Sequence, residues 1–379
     1  MIVHTLNLNY HSIIQITGNQ YFYYKTKSLI FIFNRLINVF NLINTIKVSS
    51  AMKEITSPEH IRETAYSFQE SRILLTAFEL NIFTILDKHI MGSEEISERI
   101  NADNRSTNRL MNALCGMGLL KKIKGKFYNS DLSSKYLVEG KPEFMGNLYH
   151  TNHLWNTWSH LTGSVKKGKS FLGDQNKKEK EEWVDSFISA MHYRGVKQAK
   201  LLAMMIDLSN IKKMLDIGGG SAAFSMELVK RNPEIKAVVL DLQHVIPLTK
   251  KYVEQEGLKD NFSFIEGNYL SSDFGSEYDM ILLSAIVHIN SYEQNKMIIK
   301  KCADAMNNNG MIIINDFVMN NERTQPYHGA IFSLNMLVGT ANGDTYTEEE
   351  MKEWLSAAGF SKIERKKTSF ASDLIIGIK

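Results

Sequence analysis

The chain has 379 residues, 44% of them hydrophobic and 22% charged, which is long enough for more than one buried core and excludes a disordered chain. Its formal charge of +3 is unevenly laid out, because residues 1–51 hold Lys25, Lys27, Arg35 and Lys47 and no acid. Setting those four aside leaves 40 of the 44 Lys and Arg against 41 acids, a near-neutral body that argues against a nucleic-acid partner.

The first segment, "SLIFIFNRLINVFNLINTI" (28–46), is apolar but is interrupted by Arg35 and by Asn34, Asn38, Asn41 and Asn44. That pattern predicts no membrane span. No small-residue cleavage site follows it, which disfavours a signal peptide. Residues 1–51 are expected to be a disordered or non-native extension: upstream sequence read as protein, with Met52 as the working start. A peripheral amphipathic helix is the alternative.

Residues 52–145 read as a winged-helix domain. "SRILLTAFELNIFTILDKH" (71–89) spaces Ile73, Leu74, Ala77, Leu80, Phe83 and Ile85 as a helix face, and "GSEEISERI" (92–100) is a short helix that Ser93 can cap, with Glu94 and Glu95 in its first turn. "NRSTNRLMNALCGMGLL" (104–120) is a third helical stretch, and "KKIKGKFYNS" (121–130) two short strands about Gly125. Arg105, Arg109, Lys121, Lys122, Lys124 and Lys126 keep a DNA-binding use open, whereas Glu94, Glu95 and Glu98 oppose it. Dimer packing or substrate cover is the expected role.

Residues 146–200 form helical linker and pocket helices. "HTNHLWNTWSHL" (150–161) and "SFISAMHYRGVKQAKLLAMM" (186–205) are rich in Trp, Met and His, and the polar run 173–182 between them reads as a solvated loop. Trp155, Phe187, Met191 and His192 are pocket-lining candidates, with plain core as the equal alternative. Cys115 and Cys302 lie far apart, which gives no metal pattern and no disulfide framework, as in a reducing, cytoplasmic compartment.

Residues 201–379 alternate strand and helix: "KKMLDI", a glycine turn, "SAAFSMELVKRN", "KAVVLDL", "VIPLTKKYVEQEG", "FSFIEG", "YDMILL", a helix near 291–306, and "GMIIINDF". This order predicts a doubly wound α/β sheet, mostly parallel, with a cofactor at the carboxyl ends of the strands. There fall Gly218, Gly219 and Gly220, with Asp241, Asn268 and Asp316.

Two cofactors fit the glycine turn. Gly218-x-Gly220-x-x-Ala223 matches a loose dinucleotide fingerprint, and Asp241, 21 residues beyond Gly220, suits ribose hydroxyls. Asp216 decides between them, since a carboxylate there opposes an anionic pyrophosphate but suits the ammonium and sulfonium of S-adenosylmethionine. A turn-capping acid is the plainer alternative for Asp216.

The segments "ESRILLTAFELNIFTIL", "LDIGGG", "VVLDL", "EGNYL", "ILLSAIVHIN", "NMLVG" and "AAGF" together resemble the S-adenosylmethionine-dependent small-molecule O-methyltransferases with an N-terminal winged-helix dimerisation domain. That group includes acetylserotonin, caffeic acid and hydroxyneurosporene methyltransferases. The resemblance runs from about residue 59 to the end. It implies a class I, Rossmann-like methyltransferase sheet behind a helical dimerisation domain, and a homodimer.

The resemblance also implies that the Gly218 turn holds the methionine part and Asp241 the ribose. Asn268 and Tyr269 would flank the adenine, Leu242 and Ser284 would complete the cofactor site, and no metal is required. It makes His288 a general base toward the hydroxyl of a small, phenolic acceptor, and Asn335 and Met336 pocket residues; Phe332 is a further pocket-lining candidate, with plain core as the equal alternative. A free imidazole is a weaker base than a phenolate, so proton removal has to be coupled to methyl transfer.

The chain departs from the family's Gly-Asp at Gly267-Asn268 and from its His-Asp-Trp at His288-Ile289-Asn290. Ser284 stands where plant members place a lysine. Thr345 stands in place of a second acid, leaving Asp316 as the carboxylate to orient the imidazole. Three other functions are weighed: a dehydrogenase, which Asp216 opposes; a cofactor-binding protein without methyl transfer; and a winged-helix regulator that senses the cofactor.

Overall fold

Ser57 starts the first helix, α1 (Pro58–Tyr66), by accepting the His60 amide proton at 3.2 Å. The computed structural model describes residues 54–171 and 177–379; the readings of 1–51, Met52 and 173–176 lie outside the described residues. Among the described residues no helix is long and apolar enough to cross a membrane.

The helix face at 71–89 is split between α2 (Phe68–Glu79) and α3 (Ile82–Ile85), because Asn81 takes φ +57° between them. Asn tolerates that left-handed conformation better than most residues. The break turns Ile82, Phe83 and Leu86 into a core with Ile96, Met111 and Phe127. In α4 (Ser93–Arg99) the cap is Gly92, whose amide donates to the Glu95 carboxylate at 2.7 Å, so Ser93 is the first helical residue and not the cap. Asp103 caps α5 (Asn104–Gly116) through the Ser106 amide.

Strands β1 (Leu120–Ile123) and β2 (Lys126–Asn129) then pair antiparallel across Gly125, which holds φ +79°. Two basic residues of this hairpin have local partners: Lys122 reaches Asn112 at 2.8 Å, and Lys126 lies 3.8 Å from Glu95.

Past α6 (Asp131–Tyr136) come α7 (Leu148–Trp158), α8 (Leu161–Lys167) and the 29-residue α9 (Lys177–Met205). The expected solvated loop over 173–182 is corrected from Lys177 onward, where the chain is helical. A Lys/Glu run free of Gly and Pro is a good helix former, and polarity alone does not make it a loop.

The remaining elements build a seven-stranded sheet in the order β10-β11-β7-β6-β3-β4-β5. Its strands are β3 (Lys213–Ile217), β4 (Lys236–Asp241), β5 (Phe262–Glu266), β6 (Tyr278–Ser284), β7 (Met306–Asp316), β10 (Ser361–Lys366) and β11 (Asp373–Ile378), while β8 (Val318–Met319) and β9 (Tyr346–Thr347) form a separate short parallel pair. Strands β3 to β7 pair in parallel, whereas β11 runs antiparallel to both β7 and β10. Helices cover both faces. One core contains Leu215, Leu283, Ile314, Ile375 and Trp354, and the other Met214, Leu282, Ile313, Leu374 and Leu202. Successive strands run outward from β3 through β4 and β5, then cross to β6 on its other side. That reversal opens a crevice beyond the carboxyl end of β3.

Candidate active site

Strand β3 delivers Asp216 and Ile217 to the reversal point, and the chain then turns through Gly218 (φ +63°), Gly219 and Gly220 (φ +56°) into α10 (Ala223–Arg231). A Cβ on Gly218 would run into the Ile286 side chain. One on Gly219 would lie 2.8 Å from Asp216 Oδ2 and 2.9 Å from Val239 Cγ1. Only glycine lets the backbone pass here, and the turn forms a bare cradle that a side chain would fill.

Two acids hold the turn, Asp216 buried and Asp241 half-buried. Asp216 lies beneath it and accepts the Ser225 hydroxyl proton at 2.6 Å; burial pushes its carboxyl up to about 7, against the opposing hydrogen bond from Ser225. It therefore bridges β3 and α10, as a turn acid does, while standing close under Gly219. Asp241, at the end of β4, accepts the Gly220 amide at 2.8 Å and the Leu242 amide at 2.7 Å. Burial raises its carboxyl as well, more than those two amides lower it. Each carboxylate oxygen retains acceptor capacity for a ligand hydroxyl.

Around this cradle Leu242 is exposed, and the Tyr269 ring approaches Gly218. Asn268 is exposed, and its side-chain carbonyl accepts the Leu270 amide at 2.9 Å in an Asx turn. Ser284 stands apart from the turn's own bonds. Its hydroxyl accepts from Asn315, whose side-chain carbonyl accepts from Ser372, which in turn receives Gln198 of α9.

Beyond β6, a 3₁₀ turn (Val287–Ile289) carries His288. Its Nδ1 lies 2.8 and 2.9 Å from the two oxygens of Asp316, the last residue of β7, and both residues are buried. A carboxylate only accepts, so Nδ1 carries the proton and the lone pair of the neutral ring is on Nε2. The Phe332 ring, on α13 (Tyr327–Gly339), meets the imidazole edge-on at 4.9 Å and stacks on Phe317 at 4.4 Å. Met336, one turn on, is buried, and Asn335 accepts the Trp158 indole N–H at 2.9 Å.

The other pocket candidates separate. Trp155 lies under the Arg72 guanidinium, Phe187 against His150, and Met191 is half-buried. His192 belongs with the glycine turn: it bonds with Ser221 at 2.9 Å and stacks on Tyr252 at 4.1 Å, and burial lowers its basicity. Thr345 is buried, and its hydroxyl reaches the Gly329 carbonyl at 3.4 Å. Trp158, Phe317 and Ser225 were missed from sequence. Trp158, three residues after Trp155 and on the same helix face, carried a signal that could have been used.

Residues 158–361 match the model of the O-methyltransferase domain, more than half of the chain. The chain belongs to the O-methyltransferase family. Residues 62–139 match the O-methyltransferase dimerisation domain. Among curated relatives, the 3-hydroxy-5-methyl-1-naphthoate 3-O-methyltransferase of Streptomyces sahachiroi is 27% identical over 330 residues, covering 85% of this chain and 95% of that protein. The acetylserotonin O-methyltransferase of Gallus gallus is 25% identical and covers 86% and 99%. Of solved structures, PigF with SAH aligns at TM-score 0.79 with 23% identity over 86% of this chain and all of that one. Human N-acetylserotonin methyltransferase in complex with SAM aligns at 0.73, also with 23% identity, over 86% and 99%. At that identity the two structures speak to the fold, which is that of this O-methyltransferase. Among its described residues no group of three or more His, Cys, Asp and Glu is placed to hold a metal ion.

Proposed function

We propose that this O-methyltransferase moves a methyl group from S-adenosylmethionine to a phenolic hydroxyl of a small aromatic acceptor, with His288 as the general base. The observation that carries the reading is the bidentate contact between Nδ1 of His288 and buried Asp316. It presents the basic Nε2 on a ring bordered by Phe332, where a flat apolar acceptor would pack.

The glycine cradle and its acids fit the donor. Gly218, Gly219 and Gly220 leave room for the methionine part, Asp216 stands under the turn for its ammonium, and Asp241 receives the ribose hydroxyls. Leu242, Asn268 and Tyr269 border the adenine. When bound, S-adenosylmethionine supplies a methyl group already activated on a sulfonium. What remains for the chain is to hold the acceptor oxygen, exclude water and take the proton. His288 Nε2 takes it, Asp316 holds the ring and stabilises the imidazolium, and Phe332, Met336, Asn335 and Trp158 close the acceptor side. The N-terminal region, read as a winged helix turned to dimer packing, exposes Ile61, Tyr66 and Phe68 along α1 and the start of α2, an apolar strip that a second copy would cover. The acceptor is a small molecule, and the enzyme is cytoplasmic.

Radiolabelled S-adenosylmethionine with a panel of hydroxynaphthoates, aromatic polyketides and N-acetylserotonin tests this. His288→Gln is expected to lower turnover by ~10²–10⁴-fold with the affinity for S-adenosylhomocysteine intact, and Asp316→Asn to cost less. Unchanged turnover in His288→Gln would overturn the base assignment. Tight donor binding with no transfer to any member of the panel would favour a binding protein instead.

A further inference from the structure

The turn that carries His288 is fixed from below by a hydrogen-bonded hub that the proton transfer itself does not use. Asn290 is buried, and its Nδ2 donates to the Ile286 carbonyl at 3.0 Å and to Asn295 Oδ1 at 3.2 Å. Asn295, fully buried on α12 (Tyr292–Ala305), donates in turn to the Val287 carbonyl at 2.8 Å. The Asn290 carbonyl accepts the Tyr346 hydroxyl at 2.6 Å. The residues on either side of His288 are thereby tied to the protein core.

One acceptor of the hub is left, and it faces the cofactor side. Asn290 Oδ1 accepts the Tyr269 hydroxyl at 3.1 Å, and a carbon of the Tyr269 ring stands 3.9 Å from where a Cβ on Gly218 would lie. The Ile286 side chain, from the residue whose carbonyl Asn290 holds, fills the space beside the same glycine. The glycine turn thus borders both ends of a short chain of contacts: the Tyr269 ring near Gly218 bonds Asn290, and Ile286 beside Gly218 is held by Asn290 through its carbonyl at the start of the His288 turn. A buried amide satisfied on every side is rigid, because each lost bond leaves a polar group unpaired away from water.

We propose that Asn290 is a positioning residue that couples occupancy of the glycine turn to the placement of His288, with the Tyr269 hydroxyl as the link. A ligand that presses on the Tyr269 ring or on Gly218 biases the hub, and the hub sets where the imidazole stands. The base is then aligned when the donor is present. This inference rests on the reading of the glycine turn as the donor site and of His288 as the base.

The test uses protein labelled with ¹³Cε1-histidine, in which the His288 resonance is identified by its loss in His288→Gln, and S-adenosylhomocysteine as the probe. In the parent protein, saturation with S-adenosylhomocysteine is expected to shift the His288 resonance. Tyr269→Phe keeps the ring and removes only the hydroxyl, so the fold and the probe's affinity, to within about threefold, are expected to survive the loss of one neutral hydrogen bond. The ligand-induced shift of His288 is expected to fall by half or more. In turnover, kcat should drop about three- to tenfold while KM for S-adenosylmethionine moves less. Adding Tyr269→Phe to Asn290→Ala should change the His288 response no further than Asn290→Ala alone, since both remove the same link. A full His288 response in Tyr269→Phe, or additive effects in the double variant, would overturn the coupling while leaving the donor site and the base in place. Absence of probe binding to the parent protein would instead remove the donor reading on which the coupling rests.

Discussion

Replacing Gly219 with alanine adds one methyl group at the most crowded point of the cradle. That methyl would lie 2.8 Å from Asp216 Oδ2 and 2.9 Å from both Asp216 Cγ and Val239 Cγ1, well inside van der Waals contact. Neither neighbour can yield easily. Asp216 is buried and bonded to Ser225, and Val239 is a fully buried β-branched residue in the middle of β4. The substitution is therefore an overpacking of a closed site, which costs about 1–3 kcal/mol, or a fall in Tm of roughly 1–2 °C per kcal/mol for a protein of this size. Any relief by shifting the turn would displace the Gly220 amide from Asp241, so donor affinity should weaken by tenfold or more, about 1.4 kcal/mol. Gly116→Ala is the matched control: it ends α5, nothing lies within 4 Å of its would-be Cβ, and alanine there should raise stability by up to ~1 kcal/mol. Differential scanning fluorimetry and calorimetric titration with S-adenosylhomocysteine measure both. Equal Tm and affinity in Gly219→Ala and the parent would refute the argument that space dictates glycine at this position.

Burial raises Asp216 to about 7, above the ordinary carboxylate value it regains on unfolding, so the unliganded fold holds a proton that the unfolded chain releases. Its stability should fall as pH rises from about 4 to about 7 and level off above; thermal unfolding of the parent against Asp216→Asn over that range checks the slope. An ammonium bound under the turn favours the charged carboxylate, so titration with S-adenosylmethionine near pH 6 should release a proton, seen as a dependence of the measured heat on buffer ionisation. Trp158→Phe removes the donor to Asn335 and should raise KM for the acceptor about three- to tenfold with S-adenosylhomocysteine affinity unchanged, as steady-state kinetics and calorimetry will show. Sedimentation at micromolar concentration should give a dimer, and Ile61→Glu with Phe68→Glu, which place charge on the exposed strip of α1 and α2, should shift it toward monomer.

The sheet was legible because its parallel strands are nearly continuous apolar runs, "MLDI", "VVLDL" and "MILL", which only a strand buried on both faces needs. The cradle was legible because a chain of three glycines before a helix has few other uses. His288 and Asp316 were legible through the resemblance more than through spacing, since 28 residues separate them and their contact exists only once β6 and β7 pair. The break at Asn81 was hidden by an apolar period that both halves share. The helical start of α9 was hidden because charge density marks solvent exposure and not conformation. Composition leaves His192 open between pocket lining and plain core; its ring lies on Tyr252, a partner 60 residues on that periodicity cannot supply. The Trp158–Asn335 and Tyr269–Asn290 bonds are of the same kind: each half reads as an ordinary aromatic or amide until the fold joins them.

The order of strands also sets the order in which the enzyme can assemble during synthesis. Strand β11 is inserted between β7 and β10, with Asp373 directly opposite Asp316 and bonded to Arg365. While the ribosome is still making residues 340–372, β7 stands at an open edge with Asp316 at its end, and every other strand of the parallel half is already available. Long unpaired edges of this kind attract other chains. The nascent polypeptide therefore passes through a stage at which the β7 edge that ends in Asp316 is unpaired, and substitutions in 373–378 should be felt in the yield of soluble protein before they are felt in turnover.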